Sequence, residues 1–149
     1  MASKQQNMEA RKAKDSFTTM NELVLPNDTN TYGDLMGGKL MYWMDIAAYL
    51  SAAKHCNSAC MTASVDNLSF KSPIRLGNVI CIEAKVTRAF NSSMEVHLKV
   101  WNQNMITQSR ELSNEAFFTF VGLDKTKNLK KFQKLFQKQK KKKNTLQVL

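Results

Sequence analysis

Residues 29–55 read TNTYGDLMGGKLMYWMDIAAYLSAAKH, and the reading of this stretch decides the fold. It follows and opens on turn chemistry, since Asn27, Asp28, Asn30 and Gly33 all favour non-extended backbone. Gly37 and Gly38 then lead into a run with no helix breaker until beyond Ala53. Leu40, Met44, Ala47 and Ala48 recur at spacings of three and four, the period of a helical face. Met41, Trp43, Ile46, Tyr49 and Leu50 fill the other side, so the predicted helix is apolar nearly all round and is expected to be buried. Between Gly38 and Lys54 only Lys39 and Asp45 are charged.

Asp45 lies too far along the helix to cap its end. A carboxylate held in a buried helix without partners costs several kcal/mol of desolvation. Such a group is either bonded to a neighbouring amide or hydroxyl, or used in chemistry. The glycine pair favours the second use. Small residues let a ligand approach the backbone, and a helix start offers free N–H groups at the positive end of its dipole. Asp45 lies two turns further along, so acid and donors are expected to face one locality.

The rest of the chain reads as strands. Residues 17–25, 61–70, 79–90, 93–101 and 110–123 carry the extended patterns, with Pro26, Pro73 and Gly77-Asn78 as interruptions. Ile80, Ile82, Ala84 and Val86 are expected on one face of their strand, and Met94, Val96, Leu98 and Val100 on one face of the next. His97 then points to solvent. In the strand after the helix, Met61, Ala63 and Val65 are placed on one side, and Thr62, Ser64 and Asp66 on the other. One long helix with antiparallel strands makes an α+β layout, and a helix apolar all round needs a strongly curved sheet to cover it.

The segments TNTYGDLMGGKLMYWMD (29–45), AAKHC (52–56) and TASVDNLSF (62–70) follow one another in an order that resembles the acyl-CoA thioesterases of the hotdog superfamily. The similarity is to the branch holding bacterial broad-range acyl-CoA thioesterases and brain acyl-CoA hydrolase, and it runs from about Phe17 to Leu123. It implies a hotdog fold, a curved antiparallel sheet wrapped around one central helix, with two sheets joined edge to edge in a dimer. It also implies hydrolysis of fatty acyl-CoA to free acid and coenzyme A. Asp45 then matches the acidic residue that acts as general base or as nucleophile. Asn30 matches the asparagine that orients the water or the thioester carbonyl, and the two come from different subunits. Gly37 or Gly38 supplies a backbone N–H to the thioester oxygen. Coenzyme A enters only as part of substrate and product, with no other cofactor. The implied partners are acyl-CoA and further copies of the chain, as a dimer or a trimer of dimers. The family often carries His or Phe before the glycine pair; Met36 stands there here, which bears on the shape of the acyl pocket.

For the coenzyme A moiety, Lys71 and Arg75, which flank Pro73, and Ser93 in the NSSME turn are the candidates for phosphate contacts. Each of the two cations also reads as an ordinary solvated surface charge.

With 149 residues and 17.0 kDa, one domain is the natural count. We expect a polar arm over 1–16, the hotdog domain over 17–124 and a basic tail over 125–149. The net charge of +10 belongs to the tail, which holds ten lysines and no acids; the body is neutral. Leu129, Phe132, Leu135 and Phe136 form a helical stripe among those lysines, the pattern of a docked C-terminal helix with a frayed end. Lysine runs also bind nucleic acid or anionic membranes. The tail has no aromatic platform or arginine readout set, which argues against nucleic acid. A third use is to gather the polyanionic nucleotide of coenzyme A near the site.

The polar start lacks an apolar signal segment, and no run of 18 apolar residues spans a membrane. Cys56, Cys60 and Cys81 cannot all pair, which points to free thiols in a reducing cytoplasm. Metal binding has no ligand set. GxSxG, HExxH, P-loop and GxGxxG patterns are absent. His55 ends the helix beside Cys56, and adjacent side chains diverge, so a structural role is expected there. Two rival classes stand beside the thioesterase. A hydratase or dehydratase of the same fold uses a His near the helix, and none lies between Thr29 and Lys54. A non-catalytic module would keep Asp45 structural and bind anionic partners through its tail.

Overall fold

The computed structural model describes residues 15–56, 59–66, 68–90 and 92–123. The first 14 residues of the polar arm, and the basic tail with its expected stripe from Leu129 to Phe136, lie outside them. In chain order the elements are β1 (Thr18–Leu23), a 3-10 turn (Pro26–Asp28), α1 (Gly37–His55), β2 (Cys60–Asp66), β3 (Val79–Ala89), β4 (Ser93–Gln103) and β5 (Arg110–Gly122). All strand pairs are antiparallel, in the order β1-β3-β4-β5-β2. The sheet therefore has β1 and β2 at its edges. β2 stops at Asp66 rather than running to residue 70, because the chain from Leu68 leaves the sheet toward the loop before α1.

Alternation fixes which face of the sheet meets the helix. Ile82 pairs with Val100, Ala84 with Leu98 and Val86 with Val96, and all six are buried. Phe118 and Phe120 of β5 extend this face, and α1 lays Leu40, Trp43, Met44, Ala47, Ala48 and Ala52 upon it. Three alanines in that row let the helix backbone come close to the sheet. Each larger apolar side chain buried there stabilises the fold by roughly 1.5–3 kcal/mol.

The helix is not covered all round in the single chain: Met41, Tyr42, Tyr49 and Leu50 keep 39–59% of their surface exposed, and Asp45 is exposed among them. One sheet reaches one side of a helix, and apolar composition does not say which molecule covers the other side. His97 is not simply solvated either. Its side chain is 20% exposed, and its Nε2 lies 2.5 Å from Glu115 Oε1 on β5. Its ring centroid sits 4.7 Å from that of Phe117.

β2 also departs from simple alternation. Thr62 pairs with Phe120, but Ser64 pairs with Thr119, so Ala63 is an extra residue in a bulge. Val65 then stands opposite Phe118. Thr62 and Val65 thus share the helix-facing side, although an odd and an even position would part company in a regular strand. The expected grouping of Thr62 with Ser64 and Asp66 fails for this reason.

Candidate active site

The loop from Val24 to Met36 is built from its own polar side chains. Asp28 is buried, takes the Leu25 N–H on Oδ2 at 2.9 Å, and has Lys39 Nζ at 3.6 Å from Oδ1. Asn30 Oδ1 accepts from the N–H groups of Tyr32 at 2.9 Å and Asp34 at 3.2 Å. The side-chain oxygen of Asn30 is therefore used in folding the loop, and its NH2 group has no partner among the described residues. Gly33 sits in this turn at φ +77°, where a side chain would be strained.

A short segment after β2 braces the loop. Leu35 N–H donates to the Ile74 carbonyl at 2.7 Å, and Leu76 N–H to the Gly33 carbonyl at 3.0 Å. Arg75 reaches Asp34 Oδ1 at 2.8 Å and the Tyr32 carbonyl at 3.3 Å. Arg75, a candidate for phosphate contact, is thus a cross-link between the two segments. Lys71 is exposed. The third candidate, Ser93, is only 8% exposed and pairs with Val121 inside the sheet.

At the start of α1 the Met36 carbonyl accepts from both Lys39 and Leu40 N–H, each at 3.1 Å. Met36 provides no side-chain cap. The N–H groups of Gly37 and Gly38 have no partner among the described residues, as the first donors of a helix do not unless something is placed there. A side chain at Gly38 would meet nothing within 4 Å, whereas a Cβ at Gly37 would come to 3.2 Å from Phe70 Cζ. A side chain would thus find open space at Gly38 and be crowded by the Phe70 ring at Gly37.

Two turns on, Asp45 Oδ1 accepts a 2.6 Å hydrogen bond from Thr62 Oγ1. The length is that of a hydroxyl bonded to a charged acceptor. Its second oxygen has no partner among the described residues. Thr62 was not among the expected site residues, because regular alternation turned it away from the helix; its place in TASVDNLSF was the available signal. No hydrogen bond joins Asn30 to Asp45. Nor do acid and glycine donors face one locality within the chain. Eight residues of helix separate Gly37 from Asp45, which is roughly 12 Å along the axis.

The thiols of Cys60 and Cys81 are unsuited to nucleophilic work at neutral pH. Burial, and then the nearby Cys56, push the Cys60 thiol up to about 11, and burial also raises Cys81. At the far end of α1 the buried Nδ1 of His55 has no partner among the described residues. No group of three His, Cys, Asp or Glu side chains among the described residues is placed to hold a metal ion. No helix among them is long and apolar enough to cross a membrane.

The chain is 43% identical over 116 residues to the uncharacterized acyl-CoA thioester hydrolase YkhA of Bacillus subtilis, covering 78% of this chain and 67% of the relative. It is 43% identical over 103 residues to the acetyl-coenzyme A thioesterase of Mus musculus, a longer protein of which the match spans 18%, against 69% of this chain. Among solved structures, an apo-hexameric acyl-CoA thioesterase superposes with a TM-score of 0.74 at 40% identity, over 78% of this chain and 74% of that one. An acyl-CoA hydrolase of Staphylococcus aureus, solved with butyryl coenzyme A, coenzyme A and coenzyme A disulfide, gives 0.75 at 27% identity, over 91% and 94%. That enzyme has also been solved as single asparagine, aspartate and threonine to alanine mutants. There the asparagine precedes the aspartate by 15 residues and the threonine follows it by 17, the spacing of Asn30, Asp45 and Thr62 here. The sequence pattern of the thioesterase superfamily matches residues 32–108, just over half of the chain. With the five-stranded antiparallel sheet and one long helix of its described residues, and with these relatives, the chain belongs to the thioesterase superfamily.

Proposed function

We propose that this protein hydrolyses fatty acyl-CoA to free acid and coenzyme A, at a site shared between two copies of the chain. The observation that carries the reading is the pairing of Asp45, exposed on α1, with Thr62 of β2, on the same helix whose first two N–H groups, those of Gly37 and Gly38, have no partner among the described residues. Asp45, steadied by Thr62, takes a proton from water as the oxygen attacks the thioester carbonyl. The negative charge that gathers on the carbonyl oxygen is met by the N–H groups of Gly37 and Gly38 and by the NH2 of Asn30. The C–S bond then breaks, and the proton held by Asp45 passes to the leaving thiolate. Asp45 is the base in this scheme, not the nucleophile.

Distance supports a site to which two chains contribute. A thioester group is only a few ångströms across, and roughly 12 Å of helix lies between base and donors in one chain. Asp45 and Thr62 of one subunit therefore serve with the partner subunit's Asn30, the partner's Gly37 and the partner's Gly38. The exposed apolar residues around Asp45 give the second chain something to cover, and a hexameric relative supports further assembly. Lys71 is the remaining cation for the coenzyme A phosphates. Residues 17–124 form the working domain, and three cysteines outside any disulfide accord with a reducing cytoplasm. A hydratase would need a His at the glycine end of α1, whereas His55 lies at the other.

Mixing two dead variants tests the reading. Asp45→Ala and Asn30→Ala are each expected to release almost no coenzyme A from acyl-CoA while remaining folded. Refolded together at equal amounts, they regain about a quarter of wild-type activity, because half of random dimers are mixed and each mixed dimer has one intact site of two. No recovery on mixing would place both residues in one chain's site, and full activity of folded Asp45→Ala would remove the mechanism.

A further inference from the structure

We infer that Arg75 is a positioning residue for the reaction: it clamps the Asn30 loop across Gly33, so that the Asn30 NH2 group is presented in one direction. This rests on the hydrolase reading and adds to it what aims the amide. An asparagine side chain can turn its amide over and exchange acceptor for donor. Here that turn is blocked. Asn30 Oδ1 faces two backbone donors, the N–H of Tyr32 at 2.9 Å and that of Asp34 at 3.2 Å, and an NH2 group in its place would set donor against donor. The NH2 group points away from the loop for as long as both N–H groups converge on that oxygen.

Between the two donors lies Gly33, at φ +77°. A glycine changes backbone conformation at less steric cost than any other residue, so the arrangement is softest there. Arg75 spans that point. Its Nη1 donates to the Tyr32 carbonyl, before the glycine, at 3.3 Å and to Asp34 Oδ1, after it, at 2.8 Å. The Leu76 N–H adds a bond to the Gly33 carbonyl at 3.0 Å, in the peptide unit that carries the Asp34 N–H. The segment that brings Arg75 there is anchored to the sheet on both sides. Nδ2 of Asn114, buried in β5, donates to the Ser69 carbonyl, and Asn78 Nδ2 donates to Asn102 Oδ1 of β4 at 3.0 Å.

The contact aims a group more than it stabilises the fold. The Arg75 side chain is 67% exposed, and ion pairs so open to water contribute little stability. Aim matters more. In a site shared by two chains, the base is the partner subunit's Asp45, so the direction of the Asn30 amide has to be set by its own loop. A displacement of about 1 Å in a group that meets the reacting carbonyl can cost a hundredfold in rate.

The test compares kcat and KM of wild type, Arg75→Met, Arg75→Lys and Asp34→Asn on one saturated acyl-CoA and on the matching acyl-pantetheine, which carries no phosphate. Arg75→Met should lower kcat about tenfold on both substrates, with KM within about twofold and the thermal midpoint almost unchanged. Asp34→Asn should follow it, and Arg75→Lys, which keeps a charged nitrogen for the same acceptors, should recover part of the loss. A rise in KM confined to acyl-CoA would make Arg75 a phosphate contact, and wild-type constants would make it a surface charge; either overturns the inference. Should Arg75→Met fail to fold, Arg75→Lys and Asp34→Asn carry the same comparison. Hydrogen exchange over residues 29–36 separates this inference from the reaction. Arg75→Met should speed exchange of the Tyr32 and Asp34 N–H groups about fivefold or more. If wild type hydrolyses nothing and exchange still responds, the hydrolase reading falls and the clamp on Asn30 stands. Unchanged exchange removes the clamp whatever the activity.

Discussion

On the sheet side of α1, Leu40, Met44, Ala47, Ala48 and Ala52 have at most 1% of their surface exposed. On the other side of the same helix, Met41, Tyr42, Tyr49 and Leu50 keep 39–59%. The two faces are about equally apolar, yet they differ in kind. The sheet side is rich in alanine, which suits close backbone approach. The outer side has two tyrosines, a methionine and an acid, and tyrosine and methionine are enriched where protein surfaces meet. The inner face makes the fold, and the outer face carries Asp45, the proposed base. Hydrophobicity specifies that water is to be removed; side-chain size indicates which neighbour removes it.

The comparison breaks first at Asp45. Asp45→Asn keeps the shape and removes the base, so kcat should fall by about a hundred- to ten-thousandfold with the thermal midpoint almost unchanged. Comparable activity in the folded variant would make the outer face mere surface. Met44→Ala, one residue earlier but on the sheet side, should instead cost about 2–5 kcal/mol of stability by denaturant titration. A loss of activity without that loss of stability would blur the two faces. Thr62→Ala removes the hydroxyl from Asp45 and should lower kcat roughly ten- to a hundredfold, the worth of one charge-assisted hydrogen bond. It should affect kcat more than KM. Tyr49→Lys places a charge on the outer face, and sedimentation should then show smaller species at a given concentration while circular dichroism stays the same.

The smallest effect concerns Cys60, at the start of β2. Its proton is held up to about 11 against an ordinary 9.0, mainly because the thiolate would be buried. The folded state thus retains a proton that the unfolded chain gives up. Its contribution is complete below pH 9 and is lost as pH rises from 9 to 11. Denaturation midpoints should fall over this range less steeply in Cys60→Ala than in wild type, and equal slopes would show that the thiol plays no part.

Much of this molecule is legible from residue patterns. The helix from Gly37 to His55 follows from its spacing and lack of breakers, and β3 and β4 follow from strict alternation of Ile80 to Val86 and Met94 to Val100. Asn30 by itself reads only as a turn residue, and its side-chain oxygen does serve the turn. The resemblance to a family gave it a further part. Thr62 was hidden because alternation is a counting rule, and Ala63 interrupts the count. The Asn114 bond to the Ser69 carbonyl was hidden for another reason: it joins residues 45 positions apart, with no local pattern to announce it. The separation of acid and donors, by contrast, was available from helix rise alone.

The bulge at Ala63 means that β2 carries one residue more than its pairing with β5 uses. Thr62, Ser64 and Val65 stand opposite Phe120, Thr119 and Phe118 as three consecutive residues would. Removing Ala63, a small residue with no chemistry of its own, would therefore give a regular strand in which Thr62 and Val65 lie two positions apart and still share the helix-facing side. Keeping Ala63 while forcing it into the ladder would instead send either Thr62 or Val65 to the far side. In engineering this protein, position 63 is spare length that β2 should tolerate losing, and a library built only from substitutions would not reveal it.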